Sequence, residues 1–220
     1  MTYKQIKKIL LTTLFTWLII LPFNLSCFAN ETKESNEIKP TIERHFVFDT
    51  IPMNLKEMIR KANRIFAGKC TNVKYIQNDP ESNLPVYKYT FKIIEEIKGL
   101  RNKKEITFTQ WAAITEGSGY EVGNKYVLLL YPDSELGLTS PIGIGQGKFT
   151  VERAGIIRRR EVVQNQLSNK GLSRNLKTQK KISILQDKYI NNYVHRCSEL
   201  GIGIRYQEFI QAVKYLAKEE

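Results

Sequence analysis

Six consecutive apolar residues, YVLLLY at 126–131, constrain this chain more than any other stretch. The run is too short for a helix, carries β-branched and aromatic members, and is closed by Pro132, Asp133 and Ser134. It therefore reads as a central strand buried on both faces. A glycine-punctuated loop follows at 132–147, and an alternating stretch at 148–152 reads as the next strand. Residues 123–152 form the spine of a β-domain on this reading.

The segments before it carry period-two patterns. HFVFD at 45–49 alternates and predicts a short first strand. Asn54, with Glu57 three residues on, has the spacing of a capping box, and Leu55, Met58, Ile59, Ala62 and Ile65 recur at helical intervals, predicting about three turns of helix. Residues 65–76 return to strand character with Gly68 as a bulge or close-approach point. The turn formers of 77–85 let 86–97 fold back, with Tyr87, Tyr89, Phe91 and Ile93 on one face and Lys88, Thr90 and Lys92 on the other. In EITFTQW, 105–111, Ile106, Phe108 and Gln110 oppose Thr107, Thr109 and Trp111. The expected fold is mainly β with α+β character: a small antiparallel barrel over 45–156 with one accessory helix.

The C-terminal third changes composition. Residues 158–181 hold eight cations against Glu161 alone, so 157–182 reads as a solvated basic linker or peripheral hairpin. Two amphipathic helices follow within 183–220, one carrying Leu185, Tyr189, Tyr193, Val194 and Cys197 with Gly201 at its C′ position, the other carrying Phe209, Ile210, Val213 and Leu216.

The N-terminus has the layout of a secretory signal peptide. Lys4, Lys7 and Lys8 precede the apolar run 9–21, and Cys27, Phe28 and Ala29 lead to an expected cut after Ala29, leaving 30–44 as a flexible leader. A retained anchor is disfavoured because spanning takes roughly 20 apolar residues and this run ends at Pro22 and Asn24. Lipidation at Cys27 is disfavoured because a lipoprotein box has leucine where the chain has Asn24. Periplasmic or extracellular residence follows as the expectation, with no stable transmembrane span after processing. Removing 1–29 takes away three lysines and no acid, so the formal charge falls from +12 to +9. Such a field favours anionic partners, an envelope component or an acidic protein surface, and export makes nucleic acid the least expected. Cys70 and Cys197 would then sit in a compartment that permits disulfides and are candidates for a bridge, with two buried free thiols as the alternative.

Chemistry-bearing motifs fail on spacing. Around Gly147-Lys148 a phosphate loop needs a glycine where Ile142 stands and a hydroxyl residue where Phe149 stands. His45 and His195 have no ligand-spaced neighbours, and Glu95 and Glu96 are adjacent on a strand and point apart. The chain thus nominates no catalytic residue, metal or cofactor. The long connections 112–122 and 133–146, with Glu116, Tyr120, Glu135, Leu138 and Gln146, are the expected binding loops.

The succession of helix, IFAGKCTNVKYI, YKYTFKIIEEIKG, EITFTQW and GNKYVLLLYP resembles the exported bacterial domains of the tissue-inhibitor-of-metalloproteinase-like class over about 65–151. The marks are Gly68 early in one strand, Lys98-Gly99 at the end of another, and Gly123 before the apolar strand. The resemblance implies an oligonucleotide/oligosaccharide-binding-type barrel. Members that inhibit metalloproteases chelate zinc through a mature N-terminal cysteine, whereas the expected mature start here is Asn30. The leading expectation is a non-enzymatic binding or accessory module of the cell envelope. The alternatives are an inhibitor or chaperone of a secreted metalloprotease, and an envelope hydrolase with a non-local site.

Overall fold

A computed structural model describes residues 51–115, 119–155, 160–174 and 185–219. The expected signal peptide, leader and first strand at 45–49 lie outside the described residues. Helix α1 (Leu55–Lys61) starts as predicted: the Asn54 side chain accepts the Glu57 N–H at 2.8 Å. It is two turns long rather than three, because Ala62 is already extended and Ile65 belongs to the first strand.

Strands β1 (Arg64–Ile76), β2 (Val86–Lys98) and β3 (Glu105–Trp111) form an antiparallel meander. Strand β4 (Lys125–Leu130) docks on the free side of β1, followed by β5 (Lys148–Ala154), β6 (Arg160–Asn165) and the two-residue β7 (Ile204–Arg205). The order β3-β2-β1-β4-β5-β6-β7 puts β4 in the middle, as its unbroken apolar run demands. Helices α2 (Leu185–Leu200) and α3 (Tyr206–Lys218) flank β7, so the domain is mainly β with α+β character.

The sheet itself is open, since no pairing joins β3 to β7 among the described residues. What approaches a barrel is a ring of β3, β2, β1, β4 and the segment 138–141. Thr109 bridges Leu138 in parallel and Leu130 bridges Pro141 antiparallel, while the Thr139 N–H donates to the Thr109 carbonyl at 2.9 Å. Closure stops at single bridges because Pro141 lacks an N–H and the chain turns at Gly143 (φ +59°). The expected closed barrel is thus not formed: the sheet stays open, and isolated bridges to 138–141 draw β3 and β4 together.

Two cores lie on opposite sides of this sheet. Phe66, Tyr126, Leu128 and Leu130 join Tyr89, Phe91, Phe108 and Tyr120 inside the ring. Ile65, Ala67, Val127 and Leu129 point the other way, under the helices, where the Phe149 and Phe209 rings lie 4.5 Å apart. Gly68 is a close-approach point: a Cβ there would stand 3.1 Å from the Lys92 carbonyl oxygen. The register shifts at Ile65/Phe66 and Ala67/Gly68, where β2 carries the extra residues Ile97 and Ile94, and between Cys70 and Asn72, where β1 carries Thr71.

The basic stretch expected to be a solvated linker or peripheral hairpin contributes, over its described residues 160–174, a strand hairpinned on β5 and the turns after it. β6 lies within it and buries Val163 completely, and the turns that follow bury Leu172. Two buried asparagines replace a longer apolar segment. Each takes the other's backbone N–H on its side-chain oxygen, at 2.8 and 3.0 Å, and Asn169 Nδ2 donates to the carbonyls of Val163 and Ile202. Helix α2 ends at Gly201 (φ +64°) with the Ile202 N–H reaching the Cys197 carbonyl, the left-handed cap expected there.

Candidate binding face

Among the described residues, the helices cover the outer side of β1, β2 and β3 at one end. Beyond them, register places Lys69 directly opposite Lys92 on β2 and opposite Lys125 on β4, and Lys74 directly opposite Lys88. Strands lie about 4.8 Å apart, so Lys125, Lys69 and Lys92 stand abreast across about 10 Å. Like charges at directly opposite positions destabilise a sheet. The outer two have partial compensation. Lys125 Nζ donates to Glu161 at 2.9 Å and sits 3.4 Å from the Tyr206 ring centroid, and Lys92 faces Glu105 on β3. Lys69, Lys74, Lys88 and Lys92 are exposed and hold no ion pair among the described residues.

Between the two lysine rows lie hydroxyls. Thr90 and Thr107 are register partners with their Oγ1 atoms 3.1 Å apart, and Thr71 Oγ1 donates to the Thr90 carbonyl. At the far end of the same face Trp111 is paired with Val86 and is 40% exposed. The strip from Trp111 to Lys92 covers about 20 Å at 3.3 Å per residue.

The expected binding loops are placed differently. Glu116 lies outside the described residues. Tyr120 is buried in the ring, edge-to-face with Tyr89 at 4.6 Å, and its hydroxyl and Gln110 Oε1 are buried without hydrogen-bond partners among the described residues. Lys148 Nζ donates to the Gly119 carbonyl at 2.8 Å and lies 5.0 Å from the Tyr120 ring; burial pulls its ammonium down to about 8, against a small opposing pull from Glu121. Leu138 is half-buried in the bridge that closes the ring, and Glu135 is exposed. Gln146 is buried, receiving the Met53 N–H and donating to the Ile51 carbonyl, so it fastens the entry to α1. Of the five, Tyr120, Leu138 and Gln146 are structural.

The proposed disulfide is absent: Cys70 and Cys197 are both free. They lie on opposite sides of the sheet, Cys70 in the aromatic ring and Cys197 under the helices, so no side-chain rotation unites them. Burial pushes the Cys70 thiol up, which removes thiolate reactivity. The glutamates at 95 and 96 serve separate contacts. Glu95 pairs with Lys214 and accepts the Tyr206 hydroxyl, anchoring α3, while Glu96 caps the turn by accepting the N–H groups of Leu100 and Asn102.

His195 has partners that its sequence neighbourhood does not disclose. Nδ1 lies 2.8 Å from Ser173 Oγ and Nε2 lies 3.3 Å from Glu199. These distances suit a nucleophile, a base and an orienting acid, but Ser173 is buried and its N–H is bound to Ser198. The trio therefore docks α2 on the turn that follows β6. No group of three or more potential metal ligands occurs among the described residues, and no helix there is long and apolar enough to cross a membrane.

Comparison with protein-family models and with curated proteins finds no match. The lysine face was not visible in the sequence, because Lys69, Lys92 and Lys125 are brought together only by the register of three strands and the bulge between them.

Proposed function

We propose that the chain is an exported, non-enzymatic binding module of the cell envelope that holds an anionic polymer on the outer face of β1–β3. The observation that carries this is the set of lysines abreast, with Lys69 in the middle and no acid paired with it among the described residues. Such an arrangement costs the fold stability, and costs of that kind gather where a surface has work other than folding. A polyanion threaded along the strip would turn the mutual repulsion into attraction. The signal-peptide layout of 1–29 supports export, and recovery of the protein from the cytosol with those residues intact would end that part of the reading.

The test is elution of the full-length chain from immobilised dextran sulfate in a salt gradient. Replacing Lys69 and Lys92 by Gln lowers the eluting salt, whereas replacing Lys56 and Lys61 of α1, an equal loss of charge, leaves it nearly unchanged. Equal shifts from both pairs would show that net charge alone is at work and would overturn the assignment of the face.

A further inference from the structure

We infer that the polymer held on this face is a linear acidic polysaccharide, its charged groups on the lysine rows and a sugar ring stacked on Trp111. The inference rests on the binding face just proposed and specifies its ligand. Three observations favour a glycan. Trp111 is a large exposed aromatic at the end of the strip, on the same side of β3 as Thr107 and Thr109 and opposite the buried Phe108 and Gln110. Its register partner Val86 is two residues from Lys88, so indole and first lysine pair are about 7 Å apart along the strand. Between the lysine pairs lie the Thr90 and Thr107 hydroxyls, which donate and accept hydrogen bonds to sugar hydroxyls.

Each feature points away from other polyanions. Single-stranded nucleic acid is held by stacking successive bases on several aromatics, and this strip has one at its end. A lipid surface rewards apolar groups that enter the acyl boundary, and the centre of the strip is hydroxyl and ammonium. Inorganic polyphosphate would use the lysines and leave the indole idle. A sugar chain uses all three groups: carboxylates or sulfates with ammonium, hydroxyls with threonine, and an apolar ring face with tryptophan.

The experiment titrates the full-length chain with polygalacturonate, inorganic polyphosphate, oligo-dT and phosphatidylglycerol vesicles, and follows affinity and tryptophan emission. The chain has two tryptophans, and Trp17 lies in the N-terminal apolar run, so Trp17→Phe isolates the signal of Trp111. The expected result is tightest binding to polygalacturonate with a change in Trp111 emission. Trp111→Ala should weaken that binding about five-fold, Trp111→Phe should restore most of it, and polyphosphate binding should not change. Loss of polyphosphate and polygalacturonate binding together in Lys69→Gln, with no effect of Trp111→Ala on either, would overturn the glycan and leave the polyanion face standing. Tighter binding of oligo-dT or vesicles than of polygalacturonate would overturn it in favour of those partners. Failure to bind any of the four would overturn both readings.

Discussion

Along β1 the outer side of the sheet reads Ile65 and Ala67 at one end and Lys69 and Lys74 at the other; along β2 it reads Ile97 and Glu95, then Lys92 and Lys88. The strands are the same and so is the side, yet in the first half Ile65 and Ala67 are fully buried and Ile97 and Glu95 half-buried under the helices, while the second stands in solvent as opposed like charges. The helix-covered half gains from each residue it places, at roughly 25 cal/mol per Å² of apolar surface. The uncovered half accepts a cost. Residues in the first half are explained by the fold, and those in the second are not, which makes the second the place for function.

Substitutions should sort the two halves by sign. The largest effect is expected in the covered half: Phe209→Ala removes a ring packed 4.5 Å from Phe149 and should cost about 3–5 kcal/mol in urea unfolding. Next comes Asn169→Ala, which orphans the Asn165 N–H and the carbonyls of Val163 and Ile202 and forces alanine to φ +62°; a loss of about 2–3 kcal/mol is expected. A result near zero would mean that the polar turn after β6 is not part of the cooperative unit.

A pH series probes the ring interior. Lys148 is held near 8 in the folded chain against its ordinary 10.5, so the unfolded chain binds the proton more tightly and its contribution to stability rises with pH from about 8 to about 10.5. Burial raises Tyr89, Tyr120 and Tyr126, so their contribution is present below about 10 and is lost as pH rises beyond it. Lys148→Met should abolish the rise between pH 8 and 10 and keep the later fall. An unchanged slope would remove Lys148 as its source.

The smallest effect should have the opposite sign. Lys69→Thr relieves repulsion from Lys92 and Lys125 and should stabilise the fold by about 0.2–1 kcal/mol while weakening polyanion binding. Destabilisation would make Lys69 a structural residue and erase the contrast between the halves.

Much of the architecture was legible because local and global preferences agree. YVLLLY at 126–131 predicted a central strand and β4 is central; Asn54 predicted a cap and Gly201 a left-handed helix end, and both are in place. The alternation of Tyr87, Tyr89, Phe91 and Ile93 marked the ring interior correctly. Of the two readings of the basic stretch, linker or hairpin, composition could not choose: β6 has Val163 as its fully buried apolar residue and relies on Asn165 and Asn169, whose pairing no periodicity reveals. The loop 133–146 invites a binding reading by its length alone; within it 138–141 fastens the ring and Gln146 ties down the chain before α1, contacts that no local pattern discloses. The site was the least legible part, since facing lysines are a property of register between strands distant in sequence.

Ile94, which stands 52% exposed, has a consequence for shape. Together with Ile97 it gives β2 two surplus residues against Thr71 alone on β1, so one edge of the hairpin is longer than the other, and a ribbon with unequal edges must coil. That coiling carries the end of β3 round toward 138–141. Shortening β2 by this one residue would keep every neighbour on its present side while flattening the ribbon, so the seam between Thr109 and Leu138 would be the first contact to part.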